Sequence, residues 1–306
     1  MMSHPRITVL MTVFNGGDYL RLSVESVLKQ SYKDFEFLII EDKGNDGSLS
    51  YLKSLTDPRV RIHENSENLG QTKSLNIGLK LAQGYYVARM DADDIASSRW
   101  LEYLFNFIQK NATCAIVSPK AAAINSNGKF SRILNSPETK EDITLKSFFA
   151  SPINHVGCLM RRDIVYKDMG GYDERFKVVA DYDLWSRLLR NGYELKHFPK
   201  QLVSVRFHKF SSTALEMGKK VIPETTQVMK ENIYFWRNLK LDEESIVLLW
   251  HLVCIPETLT KDNYKKGLKL LNQIYDPSHF LIKQKRIVFA KRILGSLRNI
   301  KRHLTK

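Results

Sequence analysis

Apolar positions change their period repeatedly along the first 120 residues, and each change marks an element. Ile7 to Val13 ("ITVLMTV") is a continuous apolar, β-branched run and predicts a buried strand. From Asp18 to Gln30, Leu20, Val24, Val27 and Leu28 recur at helical spacing. Phe35 to Ile40 predicts a second strand, Ser50 to Leu55 a short helix, and Val60 to His63 a third strand. Gln71 to Ala82 predicts a helix with Leu75, Leu79 and Leu81 inward, ended near Gly84. Tyr85 to Met90 ("YYVARM") predicts a fourth strand, "WLEYLFNFIQKN" the next helix, and Cys114 to Pro119 a fifth strand. Strand–helix alternation with short links predicts the α/β class: a Rossmann-like, mostly parallel sheet with helices on both faces.

The pattern beyond Pro119 is less regular. "AAAINSNGKFSRIL" predicts a hairpin across Asn127-Gly128. "ADYDLWSRLLRNG" predicts a helix ended by Gly192, and "ELKHF" and "LVSVRFH" two more strands. From about Ala214 the signal is helical. The expected organisation is a catalytic domain over 1–213, in halves 1–119 and 120–213, followed by a helical region over 214–306.

Composition adds two constraints. Hydrophobic content of 43% and charged content of 26% describe a globular chain. A net charge of +14 asks for an anionic partner. Much of that charge lies in the tail over 281–306, where nine Lys or Arg occur with no acid. There Phe289, Ile293, Leu297, Ile300 and Leu304 form one apolar stripe on a basic helix. Such a helix either docks on an anionic membrane surface or packs its stripe on the protein. No signal peptide is visible. The longest later apolar run, Ile246 to Ile255, falls well short of the roughly 20 residues of a membrane span. The expected location is therefore the cytoplasm, peripheral on the inner face of the plasma membrane if the tail docks. Cys114, Cys158 and Cys254 have no metal-finger spacing and are expected to be buried, reduced thiols.

In open α/β sheets, ligands bind beyond the carboxyl ends of the strands. The segments there are all polar: "TVFNGGD", "EDKGNDGS", "ENSENLGQ" and "DADD". Asp91, Asp93 and Asp94 repel one another unless a cation sits among them. Mn²⁺ or Mg²⁺, hard ions that take carboxylate and phosphate oxygens, would relieve this; a solvated turn is the plainer reading. Asp42 can accept from a base N–H or a ribose hydroxyl, or form an Asx-turn with Asn45 and Gly47. No GxGxxG follows the first strand and no GxxxxGK[ST] occurs, which argues against a dinucleotide oxidoreductase and excludes a P-loop.

Four separated segments carry a family resemblance: "TVFNGGDYLRLSVESVLKQSYKDFEFLIIED", "NLGQTKSLNIGLKLAQGYYVARMDADD", "GGYDERF" and "ADYDLWSRL". In this order they resemble the inverting, nucleotide-sugar-dependent glycosyltransferases of family 2, with the GT-A fold. The likeness covers roughly residues 5 to 212 and is nearest in wording to bacterial members that build capsule, O-antigen or exopolysaccharide. It implies a nucleotide-sugar donor, usually a UDP-sugar, a saccharide or lipid-linked saccharide acceptor, a Mn²⁺ or Mg²⁺ cofactor, and no nucleic-acid partner. Thr12 and Phe14 would line the nucleotide pocket, Asp42 would contact the base, and Lys73 would face the nucleotide. Asp91 would lie near the ribose or sugar, Asp93 would hold the metal, and Asp181 would be the catalytic base. Members often have Glu-Asp where this chain has Ala180-Asp181. Asp181 could equally cap its helix, with Asp183 as the alternate base. His208 would complete metal or diphosphate binding, or is an ordinary strand-end histidine; His155 and Tyr172 would be acceptor-side contacts or core. A metal-dependent phosphohydrolase or a nucleotidyltransferase acting on nucleotide sugars is the competing reading. It leaves "ADYDLW" and "EDKGNDGS" without roles.

Overall fold

Residues 5–134, 137–208 and 216–274 are described by the computed structural model of the chain. Strand β1 (Ile7–Val13) is buried at every position. It is apolar because helices cover both its faces and strands flank both its edges. It is followed by α1 (Tyr19–Leu28), β2 (Phe35–Glu41), α2 (Ser48–Lys53), β3 (Val60–Glu64), α3 (Gln71–Leu81) and β4 (Tyr86–Asp91). β2 and β4 pair with β1 in parallel, and β3 pairs with β2 in parallel. The carboxyl ends of these strands therefore share one edge, where Thr12 stands in register with Asp91.

The second half of the sheet is mixed. After the two-residue β5 (Ile95–Ala96) and α4 (Trp100–Gln109) come β6 (Cys114–Asn125), β7 (Phe130–Ile133), α5 (Lys140–Lys146), β8 (Leu159–Arg161), α6 (Ala180–Arg190) and β9 (Glu194–Phe207). The strand order is β3-β2-β1-β4-β8-β6-β9-β5, with β7 hung on β6. β8 runs antiparallel to both β4 and β6. The parallel expectation thus holds over the first four strands and gives way where β8 inserts. The hairpin across Asn127-Gly128 forms as β6 and β7, with Ala122 opposite Ile133.

Two elements are longer than their patterns suggest. β6 continues through Pro119, and β9 continues through Pro199 where two strands are expected. A proline breaks a strand by withholding a ladder N–H. Here the β6–β9 register shifts between Pro119 and Lys120, and Phe198 and Gln201 are the successive partners on β9, so both prolines sit at the irregularity.

The chain divides into two compact units, residues 1–224 and 225–306. The first extends past the expected edge at 213 because Glu224 belongs to it. Its carboxylate accepts the backbone N–H groups of Lys177, Val178 and Val179 at 2.9 to 3.1 Å. The second unit contains the helices Glu243–Cys254 and Lys261–Ile274. Cys114 and Cys158 are buried free thiols, whereas Cys254 is the last residue of its helix and is exposed. The basic tail over 281–306 lies outside the described residues.

Gly84 joins α3 to β4 where the chain presses against β1. A Cβ at this position would lie 2.4 Å from the Thr8 backbone N and 2.7 Å from the Ile7 carbonyl carbon. Backbone cannot swing aside as a side chain can. Gly84→Ala is expected to cost about 2–3 kcal/mol, as overpacking does. Urea unfolding measures it, and an unchanged midpoint would show that β1 and β4 are not held this closely.

Candidate active site

β4 ends in a sharp turn that brings three carboxylates together. One oxygen from each of Asp91, Asp93 and Asp94 lies within 4.8 Å of the others. Asp94 is buried, and its Oδ1 accepts the Arg206 backbone N–H at 2.7 Å. Burial, and then the charges of Asp91 and Asp93, push its carboxyl well above the usual carboxylate range. Burial also raises Asp91, although the Arg89 guanidinium opposes this. Asp93 is tied from β9: His208 Nε2 lies 2.8 Å from its Oδ2, and Arg206 Nε donates to its backbone carbonyl at 2.9 Å. Tyr19 of α1 backs both groups, with its ring 5.4 Å from the His208 ring and 4.3 Å from the Arg206 guanidinium. Three carboxylates this close, one of them buried, form an oxygen-rich donor set that fits a hard divalent cation.

Arg89 lies beneath the cluster. It sits on β4 two residues before Asp91, hence on the same face of the strand. It is 1% exposed and pairs with the Asp91 carboxylate. Its charge also acts on His155 and Tyr172. His155 Nε2 and Tyr172 Oη are 2.8 Å apart, and the His155 ring packs edge-on against Tyr172 and Trp185. Burial, and then Arg89, hold the His155 imidazole well below its usual pKa, while burial holds the Tyr172 phenol well above.

Asp181 opens α6 and is half-buried. Burial raises its carboxyl above the usual range, against the hydrogen bonds it accepts and the pull of Arg89. Ser151 Oγ donates to its Oδ2 at 3.1 Å. Burial lowers the pKa of Lys146, and the nearby Asp181 charge opposes this. Asp183 turns away. It is 1% exposed, and its Oδ2 accepts from Arg187 Nε at 2.7 Å.

The remaining expected residues are spread around this edge. Thr12 is buried at the end of β1, and Phe14, just past it, is 52% exposed. Asp42 is buried beyond β2. Its Oδ1 accepts from Asn65 Nδ2 at 2.7 Å and from the Leu69 N–H at 2.8 Å, and its Oδ2 accepts from the Gly70 N–H at 2.8 Å. It fastens the loop that leads into α3. Lys73 lines a cleft of about 510 Å³ with Asn76, Lys80 and Glu174. Arg89, Arg206, Tyr19 and Ser151 carry no role in the sequence reading. A lone arginine inside the apolar run "YYVARM" was the one signal available for Arg89.

The sequence profile of the Glycosyl transferase family 2 domain matches residues 8–170. The chain belongs to glycosyl transferase family 2. An uncharacterized glycosyltransferase of Haemophilus influenzae is 30% identical over 244 residues, which is 76% of this chain and 75% of that one. The O-antigen biosynthesis glycosyltransferase WbnJ of Escherichia coli is 29% identical over 218 residues, 67% of this chain and 81% of WbnJ. Among solved structures, S. aureus TarS 1-349 in complex with UDP-GlcNAc superimposes with a TM-score of 0.64 at 16% identity, covering 88% of this chain and 80% of TarS 1-349. The mannosyltransferase PcManGT of Pyrobaculum calidifontis, in complex with GDP-Man and Mn²⁺, gives 0.59 at 16% identity, covering 96% of this chain and 81% of that one. This glycosyltransferase therefore has the GT-A fold, and the phosphohydrolase and nucleotidyltransferase readings fall away. Asp181 and His208 lie beyond the span that the family profile matches.

Two outcomes follow from the buried charges. Arg89→Met leaves Asp91 without its partner and is expected to cost about 3–5 kcal/mol in urea unfolding. Adding Asp91→Asn should restore much of that; a single-variant loss below about 1 kcal/mol would class the pair with surface ion pairs. Asp94 has the opposite sign. A carboxyl whose folded-state pKa is raised leaves stability unchanged below the unfolded-state value near 4. Stability then falls as pH rises through the folded-state value. Asp94→Asn, which can still accept from the Arg206 N–H, is expected to melt above the parent protein at pH 8 without divalent metal. The gap should close at pH 4, and equal melting at pH 8 would mean that ionised Asp94 is not a burden.

Proposed function

We propose that this glycosyltransferase moves a sugar from a nucleoside-diphosphate donor, a UDP-sugar first among them, to a hydroxyl of a saccharide or lipid-linked saccharide, with inversion. The supporting observation is that two separate carboxylate groups lie under the influence of one buried arginine: the Asp91–Asp93–Asp94 cluster and Asp181. TarS and PcManGT are solved with nucleotide sugars, and WbnJ is named for O-antigen biosynthesis. These support a place in bacterial surface-polysaccharide synthesis, in capsule, O-antigen or exopolysaccharide.

Asp93, with Asp91 and Asp94, would hold Mn²⁺ or Mg²⁺. Such an ion, when bound, neutralises the charge that develops on a leaving diphosphate. His208 fixes the orientation of the Asp93 carboxylate. Thr12, Phe14 and the loop fastened by Asp42 form the nucleotide side, with Lys73 at its margin. Asp181 is the base. It is half-buried, it accepts a hydrogen bond from Ser151, and its raised pKa suits proton abstraction. Asp183 is spent on Arg187 and serves structure. Asp181 takes the proton from the acceptor hydroxyl as that oxygen bonds to the anomeric carbon. The bond from that carbon to the diphosphate oxygen breaks on the opposite face, so the configuration inverts and one base suffices. His155 and Tyr172 shape the acceptor side. No helix among the described residues is long and apolar enough to cross a membrane. The basic stripe over 281–306 would hold the enzyme to an anionic leaflet.

The test is a thermal-shift panel of UDP, GDP, dTDP and CMP with and without Mn²⁺. One nucleotide should raise the melting temperature, in a metal-dependent way, and Asp93→Ala should abolish the shift. Asp181→Asn should keep the shift and lower sugar transfer by about 10²–10⁴-fold. Metal dependence and transfer that survive Asp93→Ala would sink the reading.

A further inference from the structure

The parallel strands have a second end. Arg6 precedes β1, Tyr85 and Tyr86 open β4, and Arg161 closes β8 opposite Tyr86. This edge is about 16 Å along β4 from Asp91, at roughly 3.3 Å per residue. It holds a cleft of about 680 Å³, within the size range of small-molecule sites. Three arginine–tyrosine stacks line it: Arg6 over Tyr85 at 5.8 Å, Arg161 over Tyr86 at 5.6 Å, and Arg162 over Tyr166 at 5.4 Å. Lys167 adds a fourth cation, against the single carboxylate of Asp163.

Two of these cations have a structural explanation. Helix C-termini present unpaired carbonyls with a partial negative charge. Arg161 Nη2 donates to the Ile108 carbonyl of α4 at 3.2 Å, and Arg162 Nε donates to the Leu79 carbonyl of α3 at 2.9 Å. The other two do not. The Arg6 guanidinium and the Lys167 ammonium are exposed, and among the described residues neither forms an ion pair with a carboxylate. Tyr85, with the Arg6 guanidinium over its ring, is 61% exposed. Cations without a carboxylate partner, an exposed ring and a concave wall together describe a binding site more closely than they describe a support.

We propose that this cleft binds a phosphate ester. A guanidinium fork matches phosphate oxygens two at a time, and an ammonium adds a point charge. The volume exceeds what a phosphate group fills, so the organic part of the ligand lies against Tyr85 and Tyr166. The phosphate comes either from a lipid headgroup or from a soluble nucleotide or sugar phosphate. The site is independent of the carboxylate cluster and of the reaction assigned to it.

The test uses the full chain carrying Asp93→Ala, in EDTA, so that the cluster does not contribute. Calorimetric titration with pyrophosphate and with uridine monophosphate reads the soluble source. Titration with dihexanoyl phosphatidylglycerol below its micelle concentration, against the phosphatidylcholine analogue, reads the lipid headgroup without the charged surface that the basic tail would also meet. Arg6→Glu with Lys167→Glu changes two exposed residues and should leave circular dichroism and melting intact while weakening binding at least tenfold. Lys129→Glu with Lys265→Glu makes the same change of net charge elsewhere and should leave binding unaltered. Loss with pyrophosphate or uridine monophosphate supports a soluble phosphate, and loss with the short-chain phosphatidylglycerol supports a lipid headgroup. Equal loss in both pairs of variants, no loss in either, or no binding of any probe overturns the proposal.

Discussion

The Arg89 side chain carries a full charge into the middle of the sheet, where burial costs several kcal/mol unless other charges answer it. The answer comes mainly from Asp91, and its neighbours adjust to the result. His155 is held neutral beside the guanidinium, and the ionised form of Asp181 gains from it. Remove the cation, and a cluster of carboxylates would face itself across a water-poor wall. The arrangement of the proposed catalytic groups thus rests on a residue to which the proposal gives no contact with the sugar.

Much of the first half was legible in the chain, for a physical reason. Strands covered on both faces must be continuously apolar, and the helices that cover them must be apolar at three- and four-residue spacing, so β1 to β4 and α1 to α4 announce themselves. The later half obeys weaker rules. β6 and β9 each read as ending at a proline, because the bulge that accommodates Pro119 and Pro199 is a property of the pair. α5 is seven residues long with one buried position, Ile143, and rests on a Thr139 cap. So short an element leaves almost no periodic trace.

The same division runs through the site. Asp91, Asp93 and Asp94 are neighbours in the chain, and their crowding is visible without a structure. The hold of Arg206 on them is not: it reaches Asp93 and Asp94 from more than 110 residues away, once β9 has crossed the sheet, whereas His208 was expected beside Asp93 through the family resemblance alone. Ser151 meets Asp181 across 30 residues, from an irregular segment between α5 and β8. Asp42 was expected to contact a base or to form an Asx-turn with Asn45 and Gly47; its hydrogen bonds from Asn65, Leu69 and Gly70 were not legible, since those donors follow β3.

Arg206 has one further connection. While its Nε holds the Asp93 carbonyl, its Nη1 donates to the carbonyls of Asn125 and Ser126, both 3.2 Å away, at the tip of the β6–β7 hairpin. Surface turns of this kind ordinarily drift in length and composition without consequence. This one is fastened by a single side chain to the turn that bears the cluster. A lengthened or re-angled hairpin would pull on the carboxylates. A change in a turn that looks ornamental can thus reach the carboxylate cluster through one guanidinium.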